Sequence, residues 1–439
     1  NRRSGPFLMA NVQSRRIALN GSRSTGTVAA LDIGCSKITC LIGRNDGSGP
    51  RRFKILGGGR QQSRGFNGGA ITDMEGLERS IRLAVEDAER EAGEQISDVI
   101  LGITGPKLAC TLVTAAIEIG GHAIAHKEVK RLQALALTKI PTKGVDILAA
   151  WPVAYRVDQQ EGVRQPVGMY AEQLGVLLSV VTAPRPIIKN LVECVGRAHL
   201  GVTALVPSSI ASGAGTLIDD EIENGAICID MGAGVTAVSV YLNGSPAWLG
   251  LVPTGGTHVT SDIAQGIGTT FAAAERLKSV YGTANLEGPG LAERIEAPRL
   301  GDDGRLHGMR MEKGAIADII APRIEETFEL VQKCLDGSGV RSVLPRRIVL
   351  TGGASQLAGV RDVATRVFNA PVRLGRPTIA EFLGETLGTP AFSTASGLLL
   401  YSELGFVDAA RAGVALKEYG TEAGSGAVNK AFHWLKENF

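Results

Sequence analysis

The chain has 439 residues, 44% of them hydrophobic, enough to bury sizeable cores, so a largely disordered protein is excluded. Lys and Arg number 46 against 44 Asp and Glu, a formal net charge of +2, and aromatic residues are only 5%. A dedicated nucleic-acid binder needs far more basic surface and more stacking platforms, so that class is excluded as well. Six scattered cysteines (Cys35, Cys40, Cys110, Cys194, Cys228, Cys334) show no zinc spacing and read as reduced, buried thiols of a cytosolic protein.

In chain order, residues 1–26 are basic, with Arg2, Arg3, Arg15, Arg16 and Arg23 and no acid. They lack the apolar stretch of a secretory signal and are expected to be a disordered lead-in, opening on Asn1 as a trimmed start would. From Thr27 the pattern alternates strands and helices. Strands are expected at Thr27–Gly34, Ser36–Gly43, Arg52–Gly57 and Ser97–Gly105. Asp73 to Ala92 has helical spacing in Leu77, Ile81, Val85, Ala88 and Ala92. Residues 106–180 then read strand, helix, strand, strand, a self-sufficient inserted module, and Pro186–Leu200 is an amphipathic helix. A second half starts near Ala226 and repeats the opening strand and turn, which suggests two like lobes facing each other. Residues 283–310 read as an irregular or hairpin insertion, Ile316–Leu335 as a long helix, Arg347–Leu350 as the last clear core strand and Ala391–Tyr401 as a closing helix. A Gly/Ser-rich linker lies within 406–427, and 428–439 forms a terminal amphipathic helix.

Three glycine turns carry the chemistry. In Leu31-Asp-Ile-Gly-Cys-Ser-Lys37 the carboxylate of Asp32 ends a buried strand, where an ionised group needs a strong partner such as a metal ion or its water shell. Gly34 lets the backbone approach a ligand, the amides around Cys35 can form an anion-binding concavity, Ser36 adds a hydroxyl and Lys37 a cation. Ile229-Asp230-Met-Gly232-Ala233-Gly234-Val-Thr236 offers the same from the second half. Ile348-Val-Leu-Thr-Gly352-Gly353-Ala354-Ser-Gln356 is a strand feeding a double-glycine turn, where a flat group can lie on bare backbone and a following helix start would present N–H donors.

That order of turns resembles the actin superfamily, an α/β, two-lobed duplicated fold with two phosphate loops and an adenosine loop. The resemblance implies ATP between the lobes, with Mg2+ held through water by Asp32 and Asp230. Pro253-Thr-Gly255-Gly256-Thr-His-Val-Thr-Ser-Asp262 resembles the turn beside the phosphates, and Glu275 and Lys278 resemble the helix pair that contacts ribose and adenine. By spacing alone, Glu275 and Lys278 are a surface ion pair.

The insertion near residue 106, together with Gly69-Ala-Ile-Thr-Asp73, Gln160-Glu-Gly-Val-Arg-Gln-Pro-Val-Gly168 and Thr260-Ser-Asp-Ile-Ala264, resembles the bacterial cell-division family FtsA. On that resemblance 27–105 and 181–212 form subdomain 1A, 106–180 the inserted 1C, 213–239 and 319–405 subdomain 2A, and 240–318 subdomain 2B. The family implies head-to-tail filaments of self on the inner membrane, binding of the FtsZ C-terminal tail at 2B and the adjacent helix, and recruitment of other divisome proteins through 1C. Arg323, in Ile320-Ala-Pro-Arg323, resembles the arginine of the FtsZ contact; Arg310 and Lys313 are candidates by charge only. In the terminal helix Val428, Phe432, Leu435 and Phe439 share an apolar arc of about 100° with Trp434 at its border, the pattern of an in-plane membrane anchor. Weak binding by one copy becomes stable attachment in a polymer. Val206 stands where DnaK-type proteins carry a water-positioning Glu, so hydrolysis is expected to be slow at most. The alternatives are a sugar or small-molecule kinase of the same fold and a pilus-assembly scaffold.

Overall fold

A computed structural model describes residues 26–45 and 53–401. The basic lead-in before residue 26, and the terminal helix with Val428, Phe432, Trp434, Leu435 and Phe439, lie outside the described residues. The first lobe opens with a meander, β1 (Thr27–Ile33), β2 (Lys37–Asn45) and β3 (Phe53–Gln62), then a short ribbon of β4 (Phe66–Asn67) and β5 (Ala70–Ile71). Next come α1 (Met74–Ala92) and β6 (Asp98–Ile103). Asp73 caps α1 by accepting from the Glu75 and Gly76 N–H groups at 3.1 Å, and Gly93 ends it with φ 67°. Gly57 and Gly59 let α1 lie on β3: a Cβ at Gly59 would sit 1.8 Å from the Ala84 carbonyl oxygen.

The inserted module follows as β7 (Ala109–Ala123), α2 (His126–Leu137), β8 (Val145–Val157), β9 (Gln160–Val163) and β10 (Tyr170–Pro184). Its sheet, ordered β7-β10-β8-β9, has its own core around Leu132, Leu174 and Leu178. The edge strand β9 was not expected from the sequence. Three of its four residues are exposed, so no apolar alternation betrays it. The chain returns through α3 (Arg185–Arg197) and β11 (Gly201–Pro207) to α4 (Ser208–Thr216) and α5 (Asp219–Asn224).

The second lobe repeats the plan with β12 (Ala226–Met231), β13 (Thr236–Leu242) and β14 (Ser245–Val252). Helices α6 (Gly256–Ile267) and α7 (Phe271–Tyr281), the hairpin β15 (Arg294–Leu300) and β16 (Leu306–Glu312), and α8 (Lys313–Asp336) come next. Then follow β17 (Ile348–Thr351), α9 (Val360–Phe368), β18 (Val372–Leu374), α10 (Ala380–Leu387) and α11 (Ser393–Tyr401). One reading is corrected here. A 3-10 turn, Gly353–Gln356, begins on the second glycine, so α9 does not start directly after the double-glycine turn; β17 is the last core strand, and β18, three residues with none buried, extends the sheet beyond it.

The two central sheets have the same order, β3-β2-β1-β6-β11 and β14-β13-β12-β17-β18, each an antiparallel meander extended by parallel strands. Alternation along the strands decides where the acids go. Ala29, Leu31 and Ile33 face the core under α1 and α3, whereas Ala30 joins the core shared with α4 and α11. Asp32, two residues on from Ala30, shares that inner face. Likewise Ala226 and Cys228 face the same shared core, which sends Asp230 inward from the other lobe. Helices α4 and α11 cross between the lobes backbone to backbone. A Cβ at Gly397 would lie 1.6 Å from the Ala211 carbonyl oxygen, and one at Gly215 2.3 Å from that of Ser393.

Candidate functional site

Between the lobes runs a cleft of about 1220 Å³. The first hairpin contributes Asp32, Gly34, Cys35, Ser36 and Lys37, and the second Asp230, Gly232, Ala233 and Gly234. Gly256, Glu275, Lys278, Gly352, Gly353, Ala354 and Gln356 line the remainder among the residues singled out from the sequence. Thr236 and Gly255 do not line it. Alternation along β13 turns Thr236 inward, where its hydroxyl donates to the Thr254 carbonyl at 2.8 Å. Gly255 lies behind the second hairpin, its N–H donating to His258 Nδ1 at 3.1 Å.

Both hairpins close in the same way, Gly34 N–H to the Lys37 carbonyl and Gly232 N–H to the Val235 carbonyl, each at 3.0 Å. Among the described residues the N–H groups of Cys35, Ser36, Ala233 and Gly234 donate to no carbonyl, which leaves two amide concavities facing the cleft. The hairpin tips touch, since a Cβ at Gly234 would lie 2.8 Å from Cys35 Sγ. A bulky residue at either tip would hold the lobes apart.

The acids at the floor are poorly solvated. Burial pushes the Asp32 carboxyl up to about 6, against the pull of Lys37, and the Asp230 charge adds to the rise. Burial also raises Asp230, opposed by the Thr394 hydroxyl, which donates to its Oδ2 at 2.9 Å, then by Lys37 and by the Ser212 hydroxyl. Lys37 is itself pulled below its ordinary range by burial, against the two carboxylates, with Arg60 adding to the fall. Its Nζ crosses to the other lobe, donates to the Ala391 carbonyl at 2.5 Å and sits 4.7 Å from the centre of the Phe392 ring. Two buried carboxylates with one shared ammonium suit a hydrated divalent cation, and the donor set is the oxygen-rich one that Mg2+ prefers. Gly352, with φ 87°, belongs to the same floor: a Cβ there would meet Asp230 Oδ1 at 2.2 Å.

On the far wall Lys278 Nζ donates to the Gly256 carbonyl at 2.9 Å, Thr260 Oγ1 at 2.7 Å and Glu275 Oε2 at 2.7 Å. The pair is thus built into the turn at the start of α6 rather than a solvated ion pair. Sequence reasoning missed Ser208 and Thr394, which line the cleft from the first turns of α4 and α11. The tripeptide Ala-Ser-Gly, at 211–213 and again at 395–397, is the signal that could have found these two helices. Val206 is fully buried at the end of β11 and is not part of the cleft wall.

A second, smaller cavity of about 380 Å³ lies between α6, the β15–β16 hairpin and α8, lined by Ile267, Arg299, Met309, Met311 and Ile319. Arg323 sits one turn beyond Ile319 on α8. Its Nε and Nη2 donate to Asp262 at 2.5 and 3.1 Å, and its Nη1 to Glu326. Lys313 lines the large cleft instead, and Arg310 is exposed on β16, opposite Glu296.

Two lobes of one sheet order, closed over a cleft by paired Asp-x-Gly hairpins, define a protein of the actin-like class. The fold is shared with a PilM–PilN type IV pilus biogenesis complex (TM-score 0.61, 17% identity, 87% of this chain and 99% of that one). It is shared too with Spiroplasma citri MreB5 bound to ADP (TM-score 0.53, 11% identity, 86% and 96%). The family model of cell division protein FtsA matches residues 227–397, and that of the SHS2 domain inserted in FtsA matches 105–182. Cell division protein FtsA of Agrobacterium fabrum is 38% identical, over 95% of this chain and 96% of that protein. The Rhizobium meliloti and Escherichia coli proteins of the same name are 36% identical (99% and 99%) and 31% identical (94% and 98%). The chain belongs to the FtsA family of cell-division proteins.

Proposed function

We propose that this chain is a nucleotide-gated adaptor of division. It binds ATP with Mg2+ in the cleft, polymerises head to tail on the cytoplasmic face of the membrane, tethers FtsZ by its C-terminal tail and receives other divisome proteins through the inserted module. The observation that carries the reading is the convergence of Asp32 and Asp230 on one cleft floor between two amide concavities. Asp32 and Asp230 hold the cation through its water, the amides of both hairpins and Lys37 take the phosphates, and the wall of Gly352, Gly353, Ala354, Glu275 and Lys278 takes the nucleoside. Bound Mg2+ supplies charge neutralisation between the phosphates and the two carboxylates. Val206, at the position where a water-positioning Glu would stand, is buried off the cleft wall and supplies no such group, so hydrolysis is slow and the nucleotide acts mainly as a clamp.

Titration with a fluorescent ATP analogue tests this reading. Asp230→Asn is expected to weaken binding in Mg2+ by at least roughly tenfold, as loss of a charged partner does. Wild-type protein that binds no adenine nucleotide would overturn it.

For the FtsZ tail, the groove beside α8 offers apolar Met309, Met311 and Ile319 with Arg299 at its side, which suits a peptide with apolar and acidic residues. Arg323, one turn beyond Ile319, does not line that groove and is held by Asp262, so a peptide carboxylate would have to displace Asp262 to engage it. Ile319→Glu is expected to abolish binding of an FtsZ C-terminal peptide in fluorescence anisotropy while nucleotide binding persists. Undiminished peptide affinity would remove the groove from the proposal.

A further inference from the structure

We propose that Ser208 is a positioning residue of the nucleotide–cation site, ordering the Asp32 side of the cation's water shell as Thr394 orders Asp230. This rests on the nucleotide reading above. The two acids are unequally supported. Asp230 accepts from Thr394 at 2.9 Å, whereas among the described residues no side-chain or backbone group donates to the Asp32 carboxylate.

Beside Asp32 lies a hydroxyl with no partner. Ser208 is 8% exposed, lines the cleft, and its Oγ has no hydrogen-bond partner among the described residues. A buried hydroxyl left unsatisfied is destabilising, and the water shell of a cation bound beside Asp32 would satisfy this one.

Gly102 makes the space for the pair. It follows Leu101, which is in parallel register with Leu31, so it lies alongside Asp32. The point where its Cβ would be is 3.1 Å from Ser208 Oγ and 3.6 Å from Asp32 Oδ1. Hydroxyl and carboxylate therefore share a pocket that only glycine leaves open, and Ser208 can donate to Asp32 or to a water that Asp32 holds. Ser208 starts α4 as Thr394 lies in the first turn of α11. Because α4 and α11 cross in backbone contact, the two hydroxyls sit on the pair of helices shared between the lobes, one beside each acid.

The test is titration of full-length protein with a fluorescent ATP analogue, in Mg2+ and in EDTA, for wild type, Ser208→Ala and Ser208→Thr, with thermal melts as the folding control. The gain in affinity that Mg2+ confers is expected to fall roughly tenfold in Ser208→Ala, with affinity in EDTA unchanged, and to be largely kept in Ser208→Thr. A Mg2+ gain equal to wild type in Ser208→Ala, or an equal loss with and without Mg2+, would overturn the role of Ser208 alone. Wild-type protein that binds no nucleotide in either condition would overturn the parent reading and this one with it.

Discussion

At the scale of single residues, the site depends on small side chains as much as on charged ones. Gly352 combines a left-handed φ of 87° with a Cβ position 2.2 Å from Asp230 Oδ1 and 2.7 Å from the Met231 nitrogen. Gly352→Ala should therefore cost about 1–3 kcal/mol in backbone strain and also displace the acid. Urea denaturation and nucleotide titration should both register it. A variant with wild-type stability and affinity would show that the turn relaxes freely. Cys35 is a related case: its thiol is a poorer donor to phosphate than a hydroxyl would be. What it does in the structure is pack on Gly234 across the cleft, a role that depends on its size rather than on hydrogen bonding.

At the scale of elements, long helices and strands followed their apolar periodicity, and the exceptions were short. Helix α1 runs from its Asp73 cap to Gly93 with Leu77, Ile81, Val85 and Ala88 buried and Ala92 half-buried at its end, but β9 and β18 have too few inward side chains to leave a pattern. A buried ion pair shows how such a short piece is held. Glu221 of α5 is 3% exposed; Arg373 of β18 donates its Nε to Oε1 at 2.7 Å and its Nη2 to Oε2, and Nη2 also reaches the Thr216 carbonyl at 3.1 Å. Burial alone would raise the Glu221 carboxyl, but the Arg373 guanidinium and the Ile218 N–H outweigh it and hold it below its usual range of 4.5. The folded state thus releases this proton more readily than the unfolded chain. The stabilisation is whole above about pH 4.5 and is lost as pH falls through the folded value. Glu221→Gln should be less stable than wild type by about 1–3 kcal/mol at pH 7, with the gap narrowing in urea melts as pH falls below the ordinary carboxyl value. A gap that does not change with pH would rule out the linkage.

At the scale of the whole molecule, the two lobes meet through one shared core around α4 and α11, and the cleft lies over it. A ligand gripping both hairpins would therefore act on the crossing of these helices, the physical basis of the proposed nucleotide clamp. Membrane attachment is a second property of the proposed assembly. Phe432, Leu435 and Phe439 could each contribute at most about 1.5–3 kcal/mol on burial, so one chain should bind lipid weakly and a filament firmly. Removing residues 428–439 should abolish co-sedimentation with anionic vesicles while nucleotide binding remains. Equal sedimentation with and without that segment would exclude it as the anchor.

The sequence alone determined the local elements: the Asp-x-Gly hairpins, the double-glycine turn and the capped helix at 73–93, because each depends on neighbours a few residues away. Their order was enough to point to the family. Only the tertiary structure decided which groups meet. It put Asp32 and Asp230 over one cleft, turned Thr236 away from it, bound Arg323 to Asp262, and set Ser208 beside Asp32 in the space left by Gly102. Those outcomes follow from strand register and from two helices crossing at glycines, contacts between residues far apart in the chain that no local pattern records.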